Sequence, residues 1–227
     1  MGTVLLLRHG QASFGGPDYD VLSEIGHAQA RLVGARLAAL PRLDRVVHGS
    51  LVRQRDTAAS ASTAFAQAPP VTVDARFDEY DQDALLGAGA WSADEQAEIE
   101  RRLATTDDPR QVFQEQLEVA LRRWTEGTHG TGESYTAFRD RTRAALADVA
   151  GDLGRGEVAV VVTSGGVIAA LVADAWDLDA AAWIRMNRVV VNASLTKFVT
   201  GRRGTSLLTV NDHAHLEGAP PELRTYR

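Results

Sequence analysis

The sequence predicts an α/β fold: a three-layer α/β/α arrangement with a mixed, mostly parallel central sheet and a helical insertion. Three observations predict it. Short apolar runs rich in Val and Leu alternate with longer segments of helical periodicity, the pattern of strands buried on both faces beneath helices. The last two apolar runs are separated only by Gly201-Arg202-Arg203-Gly204, a hairpin turn that adds an antiparallel pair. Residues 85 to 130 are polar and helical, without β-branched runs. Residues 1–227 are read as one domain carrying that stretch as its insertion.

Val4 to Leu7 is the first strand. A helix opens at Leu22-Ser23-Glu24-Ile25-Gly26 with Ser23 as N-cap and runs to about Leu40, where Pro41 stops it. Leu32, Ala35, Ala39 and Leu40 are read as part of its apolar stripe. Arg45 to His48 is a second strand, Leu51 to Phe65 a helix ended by Ala68-Pro69-Pro70, and Val71 to Val73 a short third strand. In the insertion, helices start at Trp91-Ser92-Ala93-Asp94-Glu95 and at Thr106-Asp107-Asp108-Pro109, the second with Pro in its first turn. Leu117, Ala120, Leu121 and Trp124 share one face of that helix, and a Gly/Thr loop follows from Thr125 to Gly132. Ser134 to Leu153 is helical. Glu157 to Thr163, with four Val in seven residues, is the strongest strand signal. A helix from Val167 to Trp176 and strands at Val189 to Val199 and Ser206 to Val210 complete the chain.

Composition narrows the function. The formal net charge of −6 argues against a nucleic-acid or anionic-membrane surface. Lys197 is the only lysine, so nearly every positive charge is Arg, the better bidentate partner for phosphate. With no Cys, disulfides, thiolate metal sites and cysteine nucleophiles are excluded. No apolar run reaches membrane-spanning length and the N-terminus does not read as a secretion signal, so a cytoplasmic location is expected.

Arg8-His9-Gly10 follows the first strand at once, with Gln11 next. Ligands of open α/β sheets bind where strands give way to helices, so the triplet sets an imidazole beside a cation on a backbone able to turn sharply. Three more segments sit after strands. Gly49 to Ala58 places Arg53 in the first turn of a helix, where backbone N–H groups also attract an anion. Arg76-Phe77-Asp78-Glu79-Tyr80-Asp81 is a carboxylate-rich loop, with Asp83 close behind. Thr163-Ser164-Gly165-Gly166 closes the Val-rich strand. A parallel sheet would gather all four at one edge. His48 is read as a packed strand-end histidine. His213 and His215 have i, i+2 spacing but no third ligand, so no metal site is expected.

This ordered set resembles the histidine phosphatase superfamily, or phosphoglycerate mutase-like family, over nearly the whole chain. The family's R-H-G motif matches Arg8-His9-Gly10. Its L-T/S-x-x-G-x-x-Q-A pattern matches Leu22-Ser23 through Gly26 to Gln29-Ala30. Its L-x-R-x-x-x-T-A pattern matches Leu51 through Arg53 to Thr57-Ala58, its loop carboxylate Glu79, and its G-E-S motif Gly132-Glu133-Ser134. The resemblance implies a metal-independent phosphomonoesterase, without cofactor, acting on a small phosphorylated metabolite. Arg8 and Arg53 would hold the phosphate, His9 would attack phosphorus, and Glu79 would protonate the leaving oxygen and later activate water. The other ring nitrogen of His9 would rest on a backbone carbonyl. Gly10, Gln11, Ser164 and Gly165 would complete the phosphate contacts. Many members dimerise, so a homodimer is left open.

Two departures stand out. Ser164 occupies the position of a second histidine in the family's S/T-H-G-G turn, and Gly15 stands where many members have Asn. Losing one transition-state contact costs about 2.7–4 kcal/mol, or about 100- to 1,000-fold in rate. A weak or inactive phosphate-binding homologue and a phosphoglycerate mutase are therefore the alternatives, and Ser164→His should raise activity. A serine hydrolase using Ser164 is disfavoured, because Val162 stands where a nucleophile elbow needs glycine.

Overall fold

Val4 and Leu6 face one side of the sheet, Leu5 and Leu7 the other, and all four are buried. Burial on both faces is why the first strand is a continuous apolar run and not an alternating one. The computed structural model describes residues 1–13, 20–87, 90–128 and 132–226. Among these, six strands form one sheet: β1 (Gly2–Arg8), β2 (Arg45–His48), β3 (Val71–Val73), β4 (Val158–Thr163), β5 (Leu195–Gly201) and β6 (Gly204–Asp212), in the order β3-β2-β4-β1-β5-β6. The first four run parallel; β5 pairs antiparallel with β1, and β6 with β5. Helices α1 (Glu24–Ala38) and α2 (Val52–Ser62) cover one face. The other carries α5 (Pro109–Thr125), α6 (Tyr135–Gly151), α7 (Gly165–Ala175) and α8 (Ala180–Asn187). Short helices α3 (Gln82–Leu86) and α4 (Ala93–Thr105) lead into α5. This is a mixed, mostly parallel α/β fold.

Helix starts follow local chemistry. Ser23 accepts from the Gly26 amide at 3.1 Å, and Ser134 from the Ala137 amide at 3.1 Å. On α4, Ser92 and Glu95 form a reciprocal capping box. The Glu95 carboxyl is pulled down to about 2, first by its hydrogen bond from Arg123 and then by the Ser92 amide. No residue of α4 is buried, so its cap acts locally. Ser92→Ala is expected to weaken α4 by about 1 kcal/mol, measured as roughly fivefold faster amide exchange confined to that helix.

Several elements differ from the sequence reading, and three of the differences bear on how the site is built. In α1 the buried residues are Gly26, Gln29, Ala30, Val33, Gly34 and Leu37, while Ala35 and Ala39 are exposed. The contact face is set by close approach: a Cβ on Gly34 would lie 2.3 Å from the Ala61 carbonyl oxygen of α2. Small residues therefore choose the face, and the larger apolar ones follow. Val189 to Val191 do not form a strand; they belong to a turn segment in which Val190 and Val191 are buried and Val189 is exposed, and β5 starts only at Leu195. The Val190 carbonyl is taken by the Arg8 guanidinium, and Ala193 sits at φ +59°, which breaks an extended run. Finally, α8 has no forerunner in the sequence reading. Asp179 caps it by accepting from the Ala182 amide at 2.7 Å, and Trp183 anchors it. That indole is fully buried among Tyr80, Trp124, Tyr135 and Phe138 and donates to the Gly166 carbonyl at 3.0 Å. Burial in the same cluster pushes the Tyr135 hydroxyl up to about 12. The aromatic cluster thus fixes the start of α7 from below.

Candidate active site

Strands β1, β2 and β4 end side by side. Arg8 pairs with Thr163 and His48 with Val162. Just past the pairing, the His9 amide donates to the Thr163 carbonyl at 2.8 Å and the Gly49 amide to the Val162 carbonyl at 3.2 Å. The segments that open α2 and α7 therefore meet the Arg8-His9-Gly10 turn at one edge of the sheet. Gly10 is required there, because a Cβ would lie 2.4 Å from the Gly26 carbonyl oxygen.

His9 is buried and its hydrogen bonds fix its tautomer. Nδ1 lies 2.7 Å from the Gly10 carbonyl oxygen, and Arg53 Nε donates to Nε2 at 3.2 Å. A carbonyl only accepts and a guanidinium only donates. Nδ1 therefore carries the proton, and Nε2 presents its lone pair toward Arg53. The turn is held from several directions. Asn192 Nδ2 donates to the His9 carbonyl at 3.1 Å, Ala193 N to the Arg8 carbonyl at 3.1 Å, and the Gly10 amide to Thr57 Oγ1 at 3.0 Å. Arg53 is aimed by Asp20, whose carboxylate pairs with the guanidinium at 2.6 Å and accepts from the Val52 amide at 2.8 Å. One carboxylate thus caps α2 and orients its arginine.

Ser164 is fully buried. It stands at the N-cap of α7 but makes no capping hydrogen bond. Its partner is Gln54, which is also fully buried and which the sequence reading passed over. Gln54 Nε2 donates to the Phe77 carbonyl at 3.1 Å and to Ser164 Oγ at 2.9 Å. Because the Phe77 carbonyl can only accept, the amide nitrogen must face it. Both amide hydrogens are then used, and the serine hydroxyl keeps its own hydrogen to donate elsewhere.

Glu79 takes the capping place on α7. Its Oε2 accepts from the Gly166 amide at 2.9 Å and its Oε1 from the Tyr80 amide at 3.2 Å. A Cβ on Gly166 would lie 2.3 Å from Glu79 Oε1, so glycine makes this approach possible. Neighbouring carboxylates are engaged elsewhere: Asp78 on the Ser50 amide and hydroxyl, Asp81 as the N-cap of α3. The loop is also braced from α6. Glu133 holds Arg141 at 2.7 and 2.9 Å, and Arg141 donates to the carbonyls of Arg76 at 2.7 Å and Asp78 at 2.8 Å.

A cavity of about 630 Å³ reaches Arg8, His9 and Gln11. Arg53, Glu79, Ser164 and Gly165 are not among its lining residues. Its outer wall comes from α3 and α5, within the 80–130 stretch from which the sequence reading expects specificity, and from residues 224–226, which that reading did not connect to the site. The connection runs through Gln29. This buried amide accepts from the Gln11 amide at 2.8 Å and donates to the Leu223 carbonyl at 2.9 Å and Thr225 Oγ1 at 2.7 Å. Thr225 in turn donates to Asn192 Oδ1 at 3.0 Å. A fully polar residue on the buried face of α1 was the available signal. Gly15 lies outside the described residues. His48 is buried with its Nδ1 2.6 Å from the Gly49 carbonyl oxygen, and His213 Nδ1 lies 2.7 Å from the Asn211 carbonyl oxygen. Among the described residues, no cluster of His, Asp or Glu could hold a metal ion, and no helix is long and apolar enough to cross a membrane.

The family model of the histidine phosphatase superfamily (branch 1) matches residues 4–213. The chain belongs to the histidine phosphatase superfamily. Membership in this superfamily carries with it a phosphatase- or mutase-like function. Solved structures share its fold. YhfR of Bacillus stearothermophilus superposes with a TM-score of 0.69 at 20% identity, covering 96% of this chain and 100% of that one. A phosphoserine phosphatase mutant from Entamoeba histolytica, in complex with phosphoserine, gives 0.66 at 17% identity, covering 95% and 100%. A mycobacterial glucosyl-3-phosphoglycerate phosphatase gives 0.62 at 25% identity, covering 92% and 98%. Among curated proteins no match was found.

Proposed function

We propose that this histidine phosphatase-family chain is a phosphomonoesterase that works through a phosphohistidine at His9. The observation that carries the reading is the state of one nitrogen. His9 Nε2 holds a lone pair, because Nδ1 is committed to the Gly10 carbonyl, and Arg53 Nε stands 3.2 Å away. A nucleophile and an anion clamp therefore share one point, and Arg8 immediately precedes His9 at the end of β1. Nε2 attacks phosphorus in line, the P–N bond forms, and the bond to the leaving oxygen breaks. Glu79 gives that oxygen its proton. Water then attacks the phosphohistidine, losing a proton to Glu79, and inorganic phosphate leaves. Gly10, Gln11 and Gly165 supply further phosphate contacts in this reading, and Ser164 donates the hydrogen that Gln54 leaves to it.

A second reading is a phosphoester-binding protein with little turnover. It is favoured by the burial of Ser164 and by the absence of Arg53, Ser164 and Glu79 from the cavity wall. Phosphate release from an aryl phosphate, with acid-labile, base-stable label trapped on the protein in a rapid quench, decides between the two. Label and release together support the phosphomonoesterase; binding without either supports the second reading.

A further inference from the structure

The cavity at Arg8 and His9 is far larger than a phosphate group needs. Its volume of about 630 Å³ falls within the range of sites that enclose a whole small molecule, about 300–1,000 Å³. The wall chemistry therefore reports on the rest of the substrate.

Among the described residues, five primary amides line it: Asn192, which is committed to the His9 carbonyl and Thr225, and Gln11, Gln82, Gln111 and Gln114. Much of the glutamines' hydrogen-bonding capacity is unspent. Among the described residues, the side chains of Gln82 and Gln114 bond to nothing. Gln111 uses only its Nε2, on Glu115 at 3.0 Å, and Gln11 only its Oε1, on Ser23 at 2.9 Å. Among the described lining residues, the fixed charges beyond Arg8 are one of each sign, Arg224 and Asp108. A substrate with a carboxylate or a second phosphate would need further guanidinium or ammonium groups to replace its hydration. A primary amide instead offers a donor and an acceptor together, and a hydroxyl group needs the same pair. Phe113 adds an apolar surface for carbon-bound hydrogens.

We infer that the site takes the phosphate monoester of a neutral, polyhydroxylated alcohol, a sugar or polyol phosphate, whose hydroxyl-bearing body lies along Gln82 and Gln114. The placement of the phosphate rests on the phosphatase reading above; the choice of body rests on the amides.

The test compares glucose 6-phosphate with 3-phosphoglycerate, phosphoserine and an aryl phosphate, on the wild-type chain and on Gln82→Ala and Gln114→Ala. The expected result is a kcat/KM for glucose 6-phosphate at least about tenfold above both carboxylate esters. Each substitution should raise its KM about 2- to 10-fold and shrink its advantage over the aryl ester. Preference for the carboxylate esters, or equal losses on sugar and aryl substrates, would overturn the inference and leave the phosphatase reading standing. If no ester is hydrolysed, that reading fails and titration calorimetry decides the substrate class. Tighter binding of glucose 6-phosphate than of inorganic phosphate, weakened in Gln114→Ala, supports the inference; equal affinities refute it.

Discussion

His9→Ala is expected to lower phosphate release from an aryl phosphate by about 10⁵-fold or more, the scale seen when a covalent catalyst loses its nucleophile. The substitution removes Nε2, the only atom placed to form the P–N bond in the proposed mechanism, and also the acceptor that Arg53 Nε bonds at 3.2 Å. The fold should survive. His9's backbone, not its ring, is what Thr163, Asn192 and Ala193 hold, so circular dichroism and the melting temperature serve as controls. Arg53→Ala should cost less, about 100- to 1,000-fold, the usual effect of deleting one transition-state donor. The order matters as much as the size. An Arg53 variant that is worse than the His9 variant, or a His9 variant with unchanged kcat, would remove His9 from the nucleophile's role.

Ser164→His alone is expected to lose activity and stability, contrary to the simple reading of the sequence. Ser164 is fully buried, with the Gln54 amide 2.9 Å from its hydroxyl. An imidazole there overpacks the site, at a cost of about 1–3 kcal/mol. Paired with Gln54→Ala the outcome should reverse. Shortening glutamine to alanine removes as many non-hydrogen atoms as histidine adds to serine, so the volume is conserved where the two side chains touch. The double variant then regains a cationic donor, and its kcat/KM should exceed that of Gln54→Ala alone by about 100-fold or more. Initial rates and thermal melts on the four proteins of this cycle give the coupling directly. Additive effects would mean that Gln54 does not set what Ser164 can become.

Much of this was legible in the sequence, for specific reasons. β1 and β4 announced themselves because burial on both faces leaves little room for polar residues. Ser23, Ser92 and Ser134 marked helix starts because their hydroxyls meet a local need of the first turn. Arg8, His9 and Arg53 were legible through motif spacing, and the structure brings Arg53 onto His9. What remained hidden was decided at long range. Val189 to Val191 read as strand, because nothing nearby reveals that the Val190 carbonyl serves Arg8. Gln54 looked like one more polar residue in a helix; its meaning depends on Ser164 and Phe77, brought beside it only by the fold. The part played by residues 223–225 depends on Gln29, whose burial follows from glycines that let α1 approach the Gly10 turn.

The hydrogen bond from Asn192 to the His9 carbonyl has a consequence in time. The two residues are 183 positions apart. At about 5–20 residues per second of synthesis, His9 is joined to the chain roughly 10 to 40 seconds before Asn192. By the later part of that interval the nascent segment holds its histidine and both arginines, but not the Asn192 bond that holds the His9 carbonyl. Reactivity toward phosphate esters therefore begins as a late event in the life of each molecule, after β1 has gained its neighbours on both sides.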